Sequence, residues 1–208
     1  MIKVKICGLR RAEDVAYVNA HLPDYVGFIF APSKRRVTME EAVKLSEMLQ
    51  ERIKTVGVFV NESLEKVLTT SEACNLHVLQ LHGDEPPAYV KALKKAAPGK
   101  TVWKAVRVKE PGSIEVLGQY EADAYLLDAY VEGTYGGAGV AFDWNLAAAA
   151  QKYGNIILAG GLNLQNVREA IGIVKPFGVD ISSGVETDGW KDESKIKDFI
   201  YSVRRNVY

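Results

Sequence analysis

Two small polar turns in the C-terminal third of the sequence have the composition of a phosphate-binding site. Gly160 and Gly161 form the first turn, and Ser182, Ser183 and Gly184 form the second. The first follows a short apolar run without polar alternation at 156–158, which is typical of a parallel strand buried on both faces, and the second follows a predicted strand at 178–181. Because these side chains are small or absent, backbone N–H groups there are open to an anion. The turns indicate either a phosphate site or two ordinary strand-to-helix connections.

Cys7 and Asp128 could carry acid–base chemistry. Cys7 ends the first apolar run on the same face as Lys5, and its thiol could be a nucleophile or, as thiolate, a general base if nearby positive charge lowered its pKa. Asp128 directly follows the run 125–127, where poor solvation would raise its pKa and make it an acid near neutral pH. A buried apolar cysteine and an ion-paired carboxylate are the non-catalytic alternatives.

Other polar residues also lie where apolar runs end. Arg35 or Arg36 could bind a carboxylate or phosphate through its planar guanidinium group. Gln80 and His82 share one strand face and could line the same pocket, although His82 suits packing or hydrogen bonding better than catalysis. The glycine-rich segment 133–139 lacks a nucleotide-binding pattern and is either a loop over an active site or a surface insertion.

These residues belong to a chain that alternates strand and helix throughout. Apolar runs of strand character begin at eight regularly spaced positions: Val4, Val26, Val56, Val78, Val102, Tyr125, Ile156 and Val179. Helix signals lie between them, including a capping box formed by Thr38 and Glu41 and N-caps at Asn163 and Asp192. Eight strand–helix units favour a closed (β/α)8 TIM barrel with a parallel eight-stranded core over a doubly wound sheet.

No linker or shift in composition divides the chain, so residues 1–208 are predicted to form a single barrel domain. In a TIM barrel the active site lies at the C-terminal ends of the strands. The candidate residues all follow apolar runs, and the barrel would therefore gather them at one face.

Composition excludes several classes of protein. Lys and Arg together number 26, as do Asp and Glu, so no basic surface for nucleic acid or an acidic membrane is indicated. No apolar stretch approaches the roughly 18 residues of a membrane-spanning helix, and we expect a soluble, cytoplasmic protein. The two cysteines and three histidines lack the spacing of a disulfide framework or a metal site.

Taken in order, the motifs resemble those of the phosphoribosylanthranilate isomerase family. One such motif would be weak evidence, but nine in the right order along the whole chain are specific. The motifs are KICGL at 5–9, GFIF at 27–30, SKRRV at 33–37, VGVFVN at 56–61, QLHGDE at 80–85, LLD at 126–128, GGAG with FDW at 136–144, LAGGLNLQNV at 158–167 and VDISSGVE at 179–186. Ala138 and Lys34 depart from the threonine or serine and the proline frequent at those places.

The resemblance implies an isomerase of tryptophan biosynthesis that needs no metal or organic cofactor. Its reaction is the Amadori rearrangement of N-(5-phosphoribosyl)anthranilate to 1-(2-carboxyphenylamino)-1-deoxyribulose 5-phosphate. The resemblance makes Cys7 the general base and Asp128 the general acid, active as a thiolate and a neutral carboxyl group. It assigns Arg35 to the anthranilate carboxylate, and Gly161 with the turn 183–184 to the phosphate. Such enzymes are monomers or homodimers.

Other functions remain open from sequence. The barrel could belong to another phosphosugar enzyme, such as the histidine-pathway aminoaldose isomerase, an indole-glycerol-phosphate synthase or a ribulose-phosphate epimerase. Lys5 or Lys104 could form a Schiff base, as in an aldolase. A non-catalytic barrel that binds a phosphorylated ligand would keep the turn 182–184 but would not need Cys7 or Asp128.

Overall fold

Eight parallel strands close into a barrel in the order in which they occur in the sequence. The computed structural model describes residues 1–129 and 143–205. The barrel strands are β1 (Lys3–Cys7), β2 (Tyr25–Ile29), β3 (Lys54–Phe59), β4 (Val78–Leu81), β5 (Thr101–Val108), β6 (Ala124–Ala129), β7 (Ile156–Leu158) and β8 (Gly178–Ile181). Each strand begins within two residues of its predicted position, and the predicted TIM barrel is confirmed.

Helices follow the barrel strands and pack around the outside of the barrel. They are α1 (Ala12–His21), α2 (Met39–Glu47), α3 (Leu64–Ala73), α4 (Pro87–Ala96), α5 (Gly112–Glu115), α6 (Trp144–Ala149), α7 (Val167–Val174) and α8 (Glu193–Arg204). Within the described ranges, none of them is long and apolar enough to cross a membrane. A short antiparallel hairpin of β9 (Glu186–Thr187) and β10 (Trp190–Lys191) lies between β8 and α8 and was not predicted.

The helix signals in the sequence are confirmed in two of three cases. Thr38 Oγ1 accepts from the Glu41 N–H at 3.1 Å, and Glu41 Oε2 accepts from the Thr38 N–H at 2.7 Å. Asp192 Oδ1 caps α8 by accepting from the N–H of Lys195. Asn163 was wrongly predicted to cap α7, because a separate turn comes first. Its side chain accepts from the N–H groups of residues 165 and 166, and α7 begins only at 167.

Large apolar side chains fill the barrel interior in the layer below the residues at its C-terminal mouth. Val56, Val78, Trp103, Leu126 and Ile157 point inward from five strands and are almost entirely buried. Alternate residues of the same strands point outward and pack against the helices. The barrel interior is therefore a packed core, and the polar residues at the strand ends rest on a rigid apolar floor.

Candidate active site

A cavity of about 630 Å³ opens at the C-terminal mouth of the barrel. Nine of the ten predicted site residues contribute to its wall, and the tenth, Gly184, packs behind it against the carbonyl group of Leu162. The wall is formed by Cys7, Ile29, Ala31, Pro32, Ser33, Lys34, Arg35, Val58, Val60, Gln80, His82, Asp128, Ala159, Gly160, Gly161, Leu162, Asp180, Ile181, Ser182 and Ser183.

Cys7 lies at the end of β1 with its thiol at the cavity wall. Gly27 on the neighbouring strand leaves room for the sulfur, because a Cβ atom there would come within 2.8 Å of Sγ. Burial raises the pKa of the Cys7 thiol, and the positive charges of Lys5 and Lys191 oppose this rise without cancelling it. The sequence suggested that nearby positive charge would favour the thiolate, but desolvation outweighs that charge in this structure.

Beneath Cys7, Lys5 forms a buried ion pair with Asp180. Lys5 Nζ lies 3.0 Å from Asp180 Oδ1, and Lys5 is almost fully buried. Burial disfavours the ammonium form, yet the charge of Asp180 opposes it and the net pKa of Lys5 is raised. A lysine held as an ammonium ion in an ion pair is a poor Schiff-base nucleophile. Lys104 is similarly paired, with Glu85 Oε2 at 2.9 Å.

Asp128 faces two polar residues at the end of β4, Gln80 within the strand and His82 directly after it. His82 Nε2 lies 3.3 Å from Asp128 Oδ2, and the Ala129 N–H donates to Oδ1 at 2.9 Å. The Gln80 amide nitrogen lies 2.8 Å from His82 Nδ1, so donation from the amide leaves the ring proton on Nε2, facing Asp128. Gly160 has a φ of +76°, and a Cβ atom there would come within 2.7 Å of Oδ1. The carboxyl group is thus held by the Ala129 N–H and has Gly160 beside it, while His82 lies close to its second oxygen.

Arg35, and not Arg36, reaches the cavity. Arg35 Nε and Nη2 donate to the two carboxylate oxygens of Glu186 at 2.7 and 2.8 Å, and the side chain is 6% exposed. Hydrogen bonding to Glu186 raises the pKa of Arg35. Arg36 is exposed to solvent outside the cavity wall. The bidentate contact fixes the plane of the Arg35 guanidinium beside the cavity.

The turns after β7 and β8 lie side by side at the mouth. Gly160 and Gly161 both have positive φ angles, of +76° and +65°, which L side chains rarely adopt. Among the described residues, no acceptor contacts the N–H groups of Gly161 and Ser183. The Ser182 hydroxyl donates to the carbonyl of Cys7 at 3.0 Å and ties the second turn to β1. Two unpartnered N–H groups beside a cavity are suited to binding an anion.

Sequence reasoning missed Asp180, Glu186 and Lys191. Glu186 and Lys191 are joined at 2.8 Å on the hairpin, and Lys191 Nζ also donates to the Ser182 carbonyl at 3.0 Å. The Asp188–Gly189 dipeptide was the available signal, since Asp-Gly is a preferred two-residue hairpin turn. The glycine-rich segment 133–139 lies outside the described residues.

Burial of Glu186 would by itself raise its pKa, but hydrogen bonds and charge from Arg35 and Lys191 lower it to about 2. A carboxyl group whose folded-state pKa is depressed stabilises the protein above its unfolded-state pKa, and this stabilisation is lost as the pH falls through the folded-state value. The depressed pKa corresponds to about 3 kcal/mol of stabilisation at neutral pH.

We predict that Glu186→Gln lowers the free energy of unfolding at pH 7 and that the gap from wild type is roughly halved at pH 3. The glutamine variant cannot titrate at this position, so only wild type loses stability through it. Urea unfolding at both pH values measures the gap. A gap of equal size at pH 3 and pH 7 would show that the carboxylate of Glu186 does not carry the effect.

The amino-acid sequence is similar to those of known isomerases along almost its whole length. The family model described as N-(5'phosphoribosyl)anthranilate (PRA) isomerase matches residues 4–202. A protein named N-(5'-phosphoribosyl)anthranilate isomerase from Acetivibrio thermocellus is 54% identical over 210 residues, covering 98% of this chain and 96% of the relative. One of the same name from Clostridium acetobutylicum is 50% identical, with 99% of each chain covered.

The solved structures that this fold resembles also include phosphoribosyl anthranilate isomerases. A phosphoribosyl anthranilate isomerase from Thermotoga maritima superposes with a TM-score of 0.90 at 39% identity, covering 99% of this chain and all of that one. Another such isomerase, solved with reduced 1-(o-carboxyphenylamino)-1-deoxyribulose 5-phosphate, has a TM-score of 0.87 at 38% identity, with the same coverage. The structure of monomers generated from the dimeric isomerase of Thermotoga maritima has a TM-score of 0.86 at 39% identity.

Proposed function

Because this chain belongs to the N-(5'-phosphoribosyl)anthranilate isomerase family, we propose that Cys7 and Asp128 carry out its reaction as general base and general acid. The enzyme converts N-(5-phosphoribosyl)anthranilate, an aminoaldose, to 1-(2-carboxyphenylamino)-1-deoxyribulose 5-phosphate, an aminoketose, in tryptophan biosynthesis. The observation that supports this assignment is the order of groups around the mouth. The turns after β7 and β8 lie between Asp128 on β6 and Cys7 on β1.

Asp128 opens the sugar ring. The carboxyl group donates its proton to the ring oxygen, the bond between C1 and that oxygen breaks, and the anthranilate nitrogen supplies the electron pair that forms an iminium ion. The contact with His82 and the hydrogen bond from Ala129 orient the carboxyl group toward the cavity. The protein supplies position and a proton, while the substrate supplies the electron sink.

Cys7 removes the proton from C2. The electron pair of the C2–H bond moves into a C1–C2 double bond and neutralises the iminium nitrogen. The resulting enolamine becomes the ketone when its C2 hydroxyl proton is lost and C1 is protonated. Burial raises the pKa of the Cys7 thiol and disfavours the thiolate in the free enzyme, and it is the thiolate form that accepts the C2 proton and becomes the thiol. An adjacent iminium cation favours the thiolate, so the positive charge that activates the base comes in part from the substrate.

The binding groups are assigned to the two anionic ends of the substrate. Arg35 binds the anthranilate carboxylate, and the turns containing Gly160, Gly161 and residues 182–184 bind the phosphate, with Gly184 acting through its backbone. His82 contacts both Asp128 and substrate, and Gln80 holds the histidine ring. We also infer that residues 1–208 form one domain, present as a monomer or homodimer.

Loss of anthranilate fluorescence tests the function. Purified protein with EDTA present is expected to consume N-(5-phosphoribosyl)anthranilate with saturable kinetics, and a parallel assay offers the histidine-pathway aminoaldose. Absence of turnover with the anthranilate substrate would contradict the assignment. Faster turnover of the histidine-pathway substrate would favour the alternative isomerase.

A further inference from the structure

The β9–β10 hairpin is anchored firmly on its outer face. The side chains of Arg10 and Arg11 lie over the ring of Trp190, with their guanidinium carbons 4.1 and 4.3 Å from the ring centroid. Arg10 also donates to the carbonyl groups of Gly189 and Lys34 at 2.6 and 2.7 Å. These contacts tie the hairpin to the loop after β1 and to the segment that carries the carboxylate-binding arginine.

The inner face of the hairpin presents Glu186 and Lys191 to the wall of the site. Their side chains are 6% and 1% exposed. Glu186 holds Arg35 through both carboxylate oxygens, and one of these oxygens also accepts from Lys191. Lys191 reaches the Ser182 carbonyl with the same ammonium group. Lys191 thus contacts both Glu186, which holds Arg35, and Ser182, which is the first residue of the phosphate turn.

The charges of this cluster do not balance. Arg35 and a protonated Lys191 carry two positive charges, and Glu186 is the one anion within hydrogen-bonding distance of either among the described residues. Burial lowers the pKa of Lys191, while the charge of Glu186 opposes that change. An excess positive charge in a poorly solvated place is costly without a counterion. Arg35 brings this excess charge to the cavity, where an anionic ligand would compensate it.

We propose that Lys191 is a positioning residue that couples the carboxylate-binding and phosphate-binding halves of the site through Glu186 and Ser182. This inference rests on the proposed function, because it takes Arg35 and the turn 182–184 as the two anion-binding groups. Lys191 lies behind the cavity wall and is absent from the wall itself, so it does not touch the reacting atoms, and its charge acts on the Cys7 thiol only from a distance.

The test compares Lys191→Met, Lys191→Arg and wild type. We expect the methionine variant to raise both KM for the substrate and Kd for the reduced product analogue by at least ~10-fold, with kcat reduced less, as for loss of a hydrogen-bonded charge. The arginine variant keeps the charge and should recover part of the affinity. Competitive inhibition by inorganic phosphate should weaken in the methionine variant, which separates an effect on the turn from one confined to Arg35.

Lys195→Met is the matched control. Lys195 is exposed, lies at the start of α8 and donates to the backbone carbonyl of Glu186, so its substitution removes a nearby lysine and leaves the side-chain contacts among Arg35, Glu186 and Lys191 in place. A folded Lys191→Met variant with wild-type Kd for the analogue and for phosphate would overturn the inference. Lack of turnover in wild type would instead overturn the proposed function, and the two failures are therefore distinct.

Discussion

Cys7→Ala is expected to lower kcat for N-(5-phosphoribosyl)anthranilate by at least ~10², the scale of positioned general base catalysis. The variant retains the ring-opening acid but has no group at the β1 strand end to remove the C2 proton. The substitution removes only the sulfur atom, which occupies space that Gly27 leaves open, and the other residues of the cavity wall are unchanged. Steady-state fluorescence assays measure the loss, with circular dichroism to verify folding.

Cys74→Ala serves as the control for this prediction. Cys74 is a buried cysteine at the end of α3, and its sulfur lies 3.7 Å from the Met39 carbonyl, outside the cavity wall. It should keep nearly all of the wild-type kcat. Near-native turnover in the Cys7 variant would remove Cys7 from the mechanism, whatever the control shows.

Asp128→Asn is expected to reduce kcat by a similar factor, at least ~10². Asparagine has nearly the same shape and can still contact His82, but it cannot donate a carboxyl proton to the ring oxygen. The substrate would then stay closed and the iminium ion would not form at a useful rate. Asp198→Asn, on the exposed side of α8, changes the same functional group far from the cavity and should have little effect. Retention of wild-type kcat by Asp128→Asn would assign the acid to another group.

The periodicity of the chain predicted the fold closely, because a parallel barrel repeats one strand and one helix and buries every strand. The runs at Val78 and Ile156 mark the first residues of β4 and β7. Caps were predictable where the capping residue directly precedes the helix, as at Thr38. Asn163 failed because a local turn and a helix N-terminus attract the same residue types.

The residues facing the cavity were predictable, but their mutual contacts were not. Strand ends identify Cys7 and Asp128 because the active site of a TIM barrel lies where its strands end, and a chemically reactive side chain there is a candidate for it. Arg35 and Arg36 could not be separated, since neighbouring residues of a loop have no fixed alternation. The bidentate partner Glu186 lies 151 residues away. The direction of the Cys7 pKa change depends on the balance of burial against Lys5, which requires coordinates.

The residues that bind the anionic ends of the substrate are separate from those that transfer protons, and calorimetric titration of the reduced product analogue into wild type, Cys7→Ala and Asp128→Asn tests this separation most directly. The anion-binding groups lie on other strand ends, so the two variants should bind the analogue with Kd within about threefold of wild type while kcat falls by at least ~10². A Kd that weakens in proportion to kcat would contradict the account, because Cys7 and Asp128 would then act in binding.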